Sequence, residues 1–395
     1  MGRRAMTSSS VPGAATSVPR SVASSADPDR APLAMVVGPT RLAPSVLARL
    51  GDQARPITDA VFLADIRRAL SQLRSVLGTE EGECLVLPGS GTAGMESLAV
   101  SLLDPRRPAL VLSTGMWGER WQALCSDLGL PTAIHRAEPG RGLDLDRVES
   151  LLAARSYQAV LVTHVDSSSG VCADVAAVTE AAHRHGALSL VDGIAAAGAE
   201  VIRQDEWAID AYLAAPPKAL SGPGGLYLVS LREAAVRSLV DRDFSPRGYS
   251  LDLRRWLPVM RSLAEGEFAY FQTPPGNLMG ALAESLRLVV EEGPARLVRH
   301  DRLAERLRRG LTESGVELFT IDPTDRAHGV TVLRTPEGSS PAELVAAVER
   351  HGVVLQAGTH PVAAEYTVRI GHLGNHTESD IDRTIAAIRA AMAEF

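Results

Sequence analysis

The chain is poor in cysteine, in aromatic residues and in lysine. Its three cysteines, Cys84, Cys125 and Cys172, lie far apart, so neither a disulfide framework nor a C-x-x-C metal motif can form, and no metal site is expected. Free thiols fit a reducing compartment, so the expected location is cytoplasmic. Aromatics make up 4% of the 395 residues, which leaves Ala, Val, Leu and Ile to build the core. No apolar run approaches the roughly 18 uncharged residues of a spanning helix, which excludes a membrane-spanning chain. An excess of basic charge is missing too. The net charge of −7 argues against nucleic-acid binding, which needs a basic face. What remains, 45% hydrophobic and 22% charged residues, is ordinary for a soluble globular protein.

Residues 1–31 are Ser, Ala, Pro and Arg with almost no large apolar side chains. Such a segment cannot bury enough surface to offset its ordering entropy, and disorder is expected there. Arg3-Arg4 has no apolar stretch behind it, which argues against export. The lack of acids before Asp27 suits a transit peptide, but no amphipathic helix pattern accompanies it.

From residue 32 onward, apolar runs bounded by Gly or Pro alternate with helical periods. Leu33–Val37, Cys84–Leu87, Ala109–Ser113, Ala159–His164, Ala187–Val191 and Ala211–Ala215 read as buried parallel strands, and Gly225–Val229 as an extra one. Between them, Ala93–Leu103, Trp117–Leu128, Asp146–Ala154 and Val175–His185 carry apolar residues at i, i+3 and i+4. This alternation predicts an α/β fold, a mostly parallel sheet flanked by helices, over residues 32–285. A long Arg-rich helix at Pro294–Ser314, followed by shorter elements, predicts a smaller C-terminal α+β domain over 286–395.

In open α/β sheets ligands bind beyond the carboxyl ends of the strands. Three features fall there. Pro88-Gly89-Ser90-Gly91-Thr92-Ala93-Gly94 is a glycine-rich turn opening a helix, whose N–H groups and positive dipole end can hold an anion. Read alone, it is more often an ordinary Ser/Thr-capped helix. Asp192 ends a buried strand, where a carboxylate needs a cation or hydrogen bonds unless it merely caps a helix. Lys218, one of very few lysines, sits in the stiff Pro216-Pro217-Lys218 turn, where a buried amine becomes a nucleophile. An anion cradle, a strand-end Asp and a Lys 26 residues later are together what pyridoxal 5'-phosphate requires.

From about residue 33 to the end, the chain resembles the class V (fold type I) pyridoxal-phosphate aminotransferases, specifically the alanine/serine–glyoxylate group. Gly89-Ser90-Gly91-Thr92, Gly115-Met116-Trp117-Gly118-Glu119-Arg120, Thr163-His164-Val165-Asp166-Ser167-Ser168-Ser169-Gly170, Val191-Asp192, Lys218-Ala219-Leu220, Tyr270-Phe271-Gln272-Thr273-Pro274-Pro275 and Val368-Arg369-Ile370-Gly371-His372-Leu373-Gly374 carry the resemblance. It implies that Lys218 is the Schiff-base lysine and Asp192 the partner of the pyridine nitrogen. It implies that Trp117 stacks on the ring, with Ile194 on the other face. Ser167 would meet the phenolic oxygen, and Ser90, Gly91 and Thr92 the phosphate. Tyr270 and Thr273 would reach that phosphate from a second subunit, which implies a homodimer with shared sites. Arg369 would clamp the α-carboxylate of an amino donor or 2-oxo acid acceptor. The implied activity is amino-group transfer between the two by a ping-pong mechanism.

Three segments depart from the family pattern. Pro216-Pro217 replaces a polar pair before the lysine, removing a phosphate ligand. Asp166 stands where the family usually has Glu, and Ala195-Ala196 replaces a Ser pair. A lyase, a decarboxylase or a pyridoxamine–pyruvate transaminase of the same fold stays open. A cysteine desulfurase is disfavoured, because Pro217 precedes the lysine and no cysteine follows Cys172.

Overall fold

Strands buried on both faces organise the chain. Ala109–Ser113 and Ala159–Thr163 have every residue out of solvent, as their unbroken apolar composition requires. Burying each Val or Leu contributes about 1.5–3 kcal/mol. The structure, a computed structural model, describes residues 31–395, so the expected disorder of residues 1–31 lies almost wholly outside the described residues. All regular elements belong to one unit, Leu33–Phe395.

The central sheet has seven strands: β2 (Glu83–Pro88), β3 (Ala109–Ser113), β4 (Thr132–Arg136), β5 (Ala159–Thr163), β8 (Leu188–Asp192), β9 (Ala211–Ala214) and β10 (Leu226–Leu231). Their spatial order is β2-β10-β9-β8-β5-β3-β4. Contacts along β9-β8-β5-β3-β4 are all parallel, and β10 is antiparallel to both its neighbours. A small hairpin, β6 (Val165–Asp166) with β7 (Val171–Cys172), follows β5. Helices α3 (Gly91–Leu102), α4 (Met116–Asp127), α5 (Leu145–Ala154) and α6 (Val175–Arg184) connect the strands as expected, within two residues at each end.

A three-stranded antiparallel sheet, β11 (Val330–Arg334), β14 (Thr367–Gly371) and β13 (Gln356–Ala357), occupies the C-terminal third. Beside it lie the two-residue strand β12 (Val353–Val354) and helices α10 (Pro294–Thr312), α11 (Pro341–Arg350) and α12 (Glu378–Met392). Most of the apolar core spans Phe62 to Val289, and a second core joins Leu33 and Met35 to residues from Leu303 to Ala391.

The structure corrects several sequence expectations. The Leu33–Val37 run does not enter the large sheet: only Leu33–Ala34 (β1) is a strand, and it pairs with Val353–Val354. Gly38, at φ +101°, then turns the chain toward the lysine. Cys84–Leu87 lies in an edge strand whose one neighbour is antiparallel. The extra strand is no appendage, since β10 sits between β2 and β9. Edge strand β4 escapes a search for apolar runs because His135 and Arg136 stand in it and none of its residues is fully buried. Three more helices, α1 (Pro44–Leu50), α2 (Ala60–Leu77) and α7 (Glu233–Asp241), were not among the expectations; α8 (Leu253–Glu265) and α9 (Gly276–Glu292) answer to the helix expected over Leu251–Leu263 and to the one expected to start at the Pro274-Pro275 turn.

The candidate active site

Strand order reverses between β3 and β5: β4 lies beyond β3 on one side, while β5, β8 and β9 extend to the other. At such a switch point the loops after the two strands part and leave a crevice. Trp117 follows β3, Asp166 and Ser167 follow β5, Asp192 ends β8, and Lys218 follows β9. The topology thus brings four sequence-distant candidates to one end of the sheet.

Helix α4 has no side-chain cap of its own, because Gly115 precedes it. Its first N–H groups are taken by the β6–β7 hairpin instead. Met116 N–H donates to Ser168 Oγ at 2.9 Å and Trp117 N–H to Asp166 Oδ2 at 3.0 Å. A carboxylate there suits the positive helix end. Ser168 also gives Asp166 Oδ1 its backbone N–H (2.9 Å) and its hydroxyl (2.6 Å). A Cβ on Gly115 would fall 2.4 Å from Ser168 Oγ and 2.7 Å from Asp166 Oδ1, so only glycine fits. The indole Nε1–H of Trp117 donates to Ser167 Oγ at 2.8 Å. Trp117 is therefore held at both backbone and ring.

Asp192 is buried. Its Oδ1 accepts the Ile194 N–H at 3.0 Å, and its Oδ2 has only a long contact, 3.4 Å, from Thr163 Oγ1. Burial pushes its carboxyl up to about 7, the Ile194 N–H opposes this, Asp166 adds to it and Lys218 draws it down. A carboxylate in this state calls for a cationic partner. Behind it, Tyr212 fills the space a Cβ on Gly193 would need, and its hydroxyl bonds His164 Nδ1 at 2.9 Å. Burial holds His164 down at about 4, so that pair is neutral at pH 7.

Lys218 is the chain's only lysine, against 39 arginines. A count of lysines would have marked it more sharply than its setting alone. Burial lowers its amine to about 8, Arg369 pushes the same way and Asp192 opposes both. Its Nζ donates to the carbonyl of Val37. Arg296, on α10, donates to the carbonyls of Gly198 (3.0 Å) and Ala219, bracing the residue after the lysine. Gly38, Arg296 and the His164–Tyr212 pair were missed by sequence reasoning, since each acts through contacts distant in sequence.

Ser90 caps α3, its Oγ accepting the Ala93 N–H at 3.2 Å, so Gly91 and Thr92 stand in the helix's first turn. A Cβ on Gly91 would fall 2.4 Å from Ile194 Cδ1, which seats Ile194 against this turn. Arg369 lies on β14, donating Nε to the Ala357 carbonyl at 3.0 Å, and burial lowers its guanidinium. Among the described residues, Tyr270 and Thr273 are not tied to this group by hydrogen bonds. They bond each other at 3.2 Å, Tyr270 is 56% exposed, and among the described residues neither hydrogen-bonds any other candidate. A cavity of about 450 Å³ lined by Val201, Val289 and Arg296 holds no lysine, and its buried cation is already taken by Gly198, Ala219 and Glu292.

Residues 58–384 match the family model described as Aminotransferase class-V. Alanine–glyoxylate aminotransferase 1 of Saccharomyces cerevisiae is 30% identical over 355 residues, covering 86% of this chain and 91% of the yeast protein. L-aspartate–glyoxylate aminotransferase of Paracoccus denitrificans is 30% identical over 342 residues, covering 85% and 84%. Among solved structures, pyridoxamine-pyruvate aminotransferase of Mesorhizobium loti superposes with a TM-score of 0.86 at 24% identity, over 93% of this chain and 94% of the other.

Proposed function

Since the chain belongs to the class V aminotransferases and so is a transaminase, we propose that it uses pyridoxal 5'-phosphate at Lys218 to move an amino group from a small amino acid to glyoxylate or a related 2-oxo acid. The observation that carries this reading is the sole lysine, its amine lowered by burial, set near a buried carboxylate that acts on it but, among the described residues, forms no ion pair.

The residues present fit the cofactor. Asp192 would face a protonated ring nitrogen, the cation its burial demands. The free N–H groups of Gly91 and Thr92, with Ser90, would hold the phosphate. Trp117 and Ile194 would flank the ring, and Ser167 would meet its phenolic oxygen. When bound, the cofactor supplies an electron sink for the bond broken at the donor's α-carbon.

The chain's own residues do the rest. Arg369 binds the α-carboxylate and orients the donor. Lys218 Nζ, close to neutrality near pH 8, takes the proton from the α-carbon and later returns it. Asp192 would hold the protonated ring nitrogen with its carboxylate.

Tyr270 and Thr273 support a homodimer in which each subunit completes the other's phosphate site; their exposure, with no hydrogen bond to the other candidates among the described residues, favours this. The two larger apolar cores support a division near residue 285 into a large and a smaller part, with Leu33 and Met35 packed into the smaller one. Three unpaired cysteines support a cytoplasmic location. No described helix is long and apolar enough to cross a membrane.

The test is a half-reaction screen. Holoenzyme is mixed with L-alanine, L-serine, L-aspartate and pyridoxamine in turn, and loss of the visible cofactor band is recorded. Glyoxylate or pyruvate should then restore the band. A protein whose band no donor changes is not a transaminase of this kind. A response to pyridoxamine alone selects the pyridoxamine–pyruvate chemistry that the missing ligand at Pro217 allows.

A further inference from the structure

Gln356 links the two ends of the proposed substrate site. In the antiparallel pairing of β13 with β14 it lies directly opposite Arg369. Directly paired residues project from the same face, with Cβ atoms about 5 Å apart. The Gln356 side chain is therefore the cross-strand neighbour of the carboxylate-binding arginine.

Its Oε1 accepts the backbone N–H of Val37 at 2.9 Å. The carbonyl of the same residue accepts the Lys218 Nζ. The N–H and C=O of one residue are separated by only two soft dihedrals, so pinning the first restrains the second. The surrounding segment leaves little slack. Gly371 N–H donates to the Met35 carbonyl at 2.9 Å, and a Cβ on Gly371 would fall 2.1 Å from the Val36 oxygen. On the other side, Thr40 donates its hydroxyl to the Lys218 carbonyl (2.8 Å) and its N–H to the Pro217 carbonyl (3.3 Å). Residues 35–40 are thus clamped between β14 and the lysine turn.

We propose that Gln356 is a positioning residue: by holding Val37 it aims the Val37 carbonyl at the Lys218 nitrogen, and so couples the lysine to the strand that carries Arg369. The assignment rests on the reading of Lys218 and Arg369 given above. The charged groups facing Lys218 are Arg369, from β14, and Asp192, from the end of β8. A carbonyl that accepts from the lysine nitrogen favours its protonated form. Releasing that carbonyl therefore lowers the pH at which the nitrogen loses its proton.

The experiment titrates the visible band of the pyridoxal-phosphate holoenzyme between pH 6 and 10. Because the chain has one lysine, the band reports one side-chain nitrogen. Gln356→Met removes the acceptor at nearly constant length. Gln356→Asn keeps an amide that is too short to reach Val37, and serves if the Met variant does not fold. Either should move the midpoint down by about 0.5 pH unit or more, while Gln356→Glu, which keeps an acceptor, should not move it down. The proposal is overturned if the Met and Asn variants move down by less than about 0.5 unit, or if the Glu variant falls with them. A wild-type enzyme without the band, or a Lys218→Ala enzyme that retains it, overturns the reading of Lys218 and this coupling with it.

Discussion

Replacing Gly38 with alanine should disable the lysine far more than it weakens the fold. Gly38 has φ +101°, a conformation that costs an L residue roughly 1–3 kcal/mol. The added Cβ would also stand 2.7 Å from the Pro217 carbonyl oxygen, 2.8 Å from Lys218 Cδ and 3.0 Å from Lys218 Nζ. The first neighbour is backbone in a two-proline turn, so the turn must retreat by several tenths of an ångström and carry the lysine with it. A misplacement of about 1 Å at a reacting group can cost about 10²-fold in rate. Gly338 supplies the control. It has φ +80° and nothing within 4 Å of a new Cβ, so Gly338→Ala incurs the backbone strain alone. Both variants should lose a few degrees of Tm. Only Gly38→Ala should also lose about 10²-fold in kcat/KM, measured with the best donor from the screen. If its kcat/KM stays within about threefold of the Gly338→Ala enzyme, roughly 0.7 kcal/mol, the lysine turn does not carry the chemistry.

Four further outcomes follow from the site. Borohydride reduction of the holoenzyme should fix the cofactor to the peptide containing Lys218, and Lys218→Ala should abolish this; label on the N-terminal amine, the one other primary amine of the chain, would refute it. Asp192→Asn should keep cofactor binding but lower kcat by more than about tenfold, or 1.4 kcal/mol; a smaller loss makes Asp192 only a structural group. Mixing Lys218→Ala subunits with Tyr270→Ala/Thr273→Ala subunits should restore part of the activity, since a hybrid dimer regains one complete site; no recovery after verified exchange, or a monomer by light scattering, contradicts shared sites. Burial holds His300 near 3 against its ordinary 6.5, so stability should be lost as pH falls below about 6.5, when the unfolded chain takes up a proton the native state refuses, by up to on the order of 4–5 kcal/mol near pH 3. Its Nδ1–H donates to Arg296 O at 2.8 Å and its Nε2 accepts from Gly374 N–H at 3.0 Å, so protonation breaks the second bond. Removing the group in His300→Gln should flatten the fall of Tm between pH 6.5 and 4.5, and an unchanged slope would count against it.

The sheet was legible because its inner strands are buried on both faces, which leaves unbroken apolar runs such as Ala109–Ser113 and Ala159–Thr163. The same rule fails at the edges. Thr132–Arg136 needs no apolar run, and the direction of Leu226–Leu231 depends on partners that no local pattern encodes. Leu33–Val37 misled for the opposite reason: it is apolar because it enters the second core and then passes the lysine, not because it extends the sheet. Of the candidate residues, Asp192 and Lys218 were visible because each ends or follows a strand, whereas Trp117 and Ser167 were found only through the resemblance to the family. Gly38, Gln356 and Tyr212 were not, since what they do depends on neighbours many residues away in sequence, 319 in the case of Val37 and Gln356.

The hydrogen bond from Trp117 to Ser167 has a consequence for what the crevice can accept. An indole N–H can only donate. Ser167 Oγ must therefore receive at that contact, and its single hydrogen is turned away from the tryptophan. In the proposed site that hydroxyl would be a one-way group, left to offer its proton to a ring stacked beside Trp117. Recognition here becomes a matter of proton inventory as well as shape. On that reading, a ring with an ionised oxygen at that position would complete the bond. A flat ring of equal size that lacks the oxygen, or carries it as a methyl ether, leaves the hydroxyl without its acceptor, at a cost of about 1–3 kcal/mol, roughly ten- to a hundredfold in affinity.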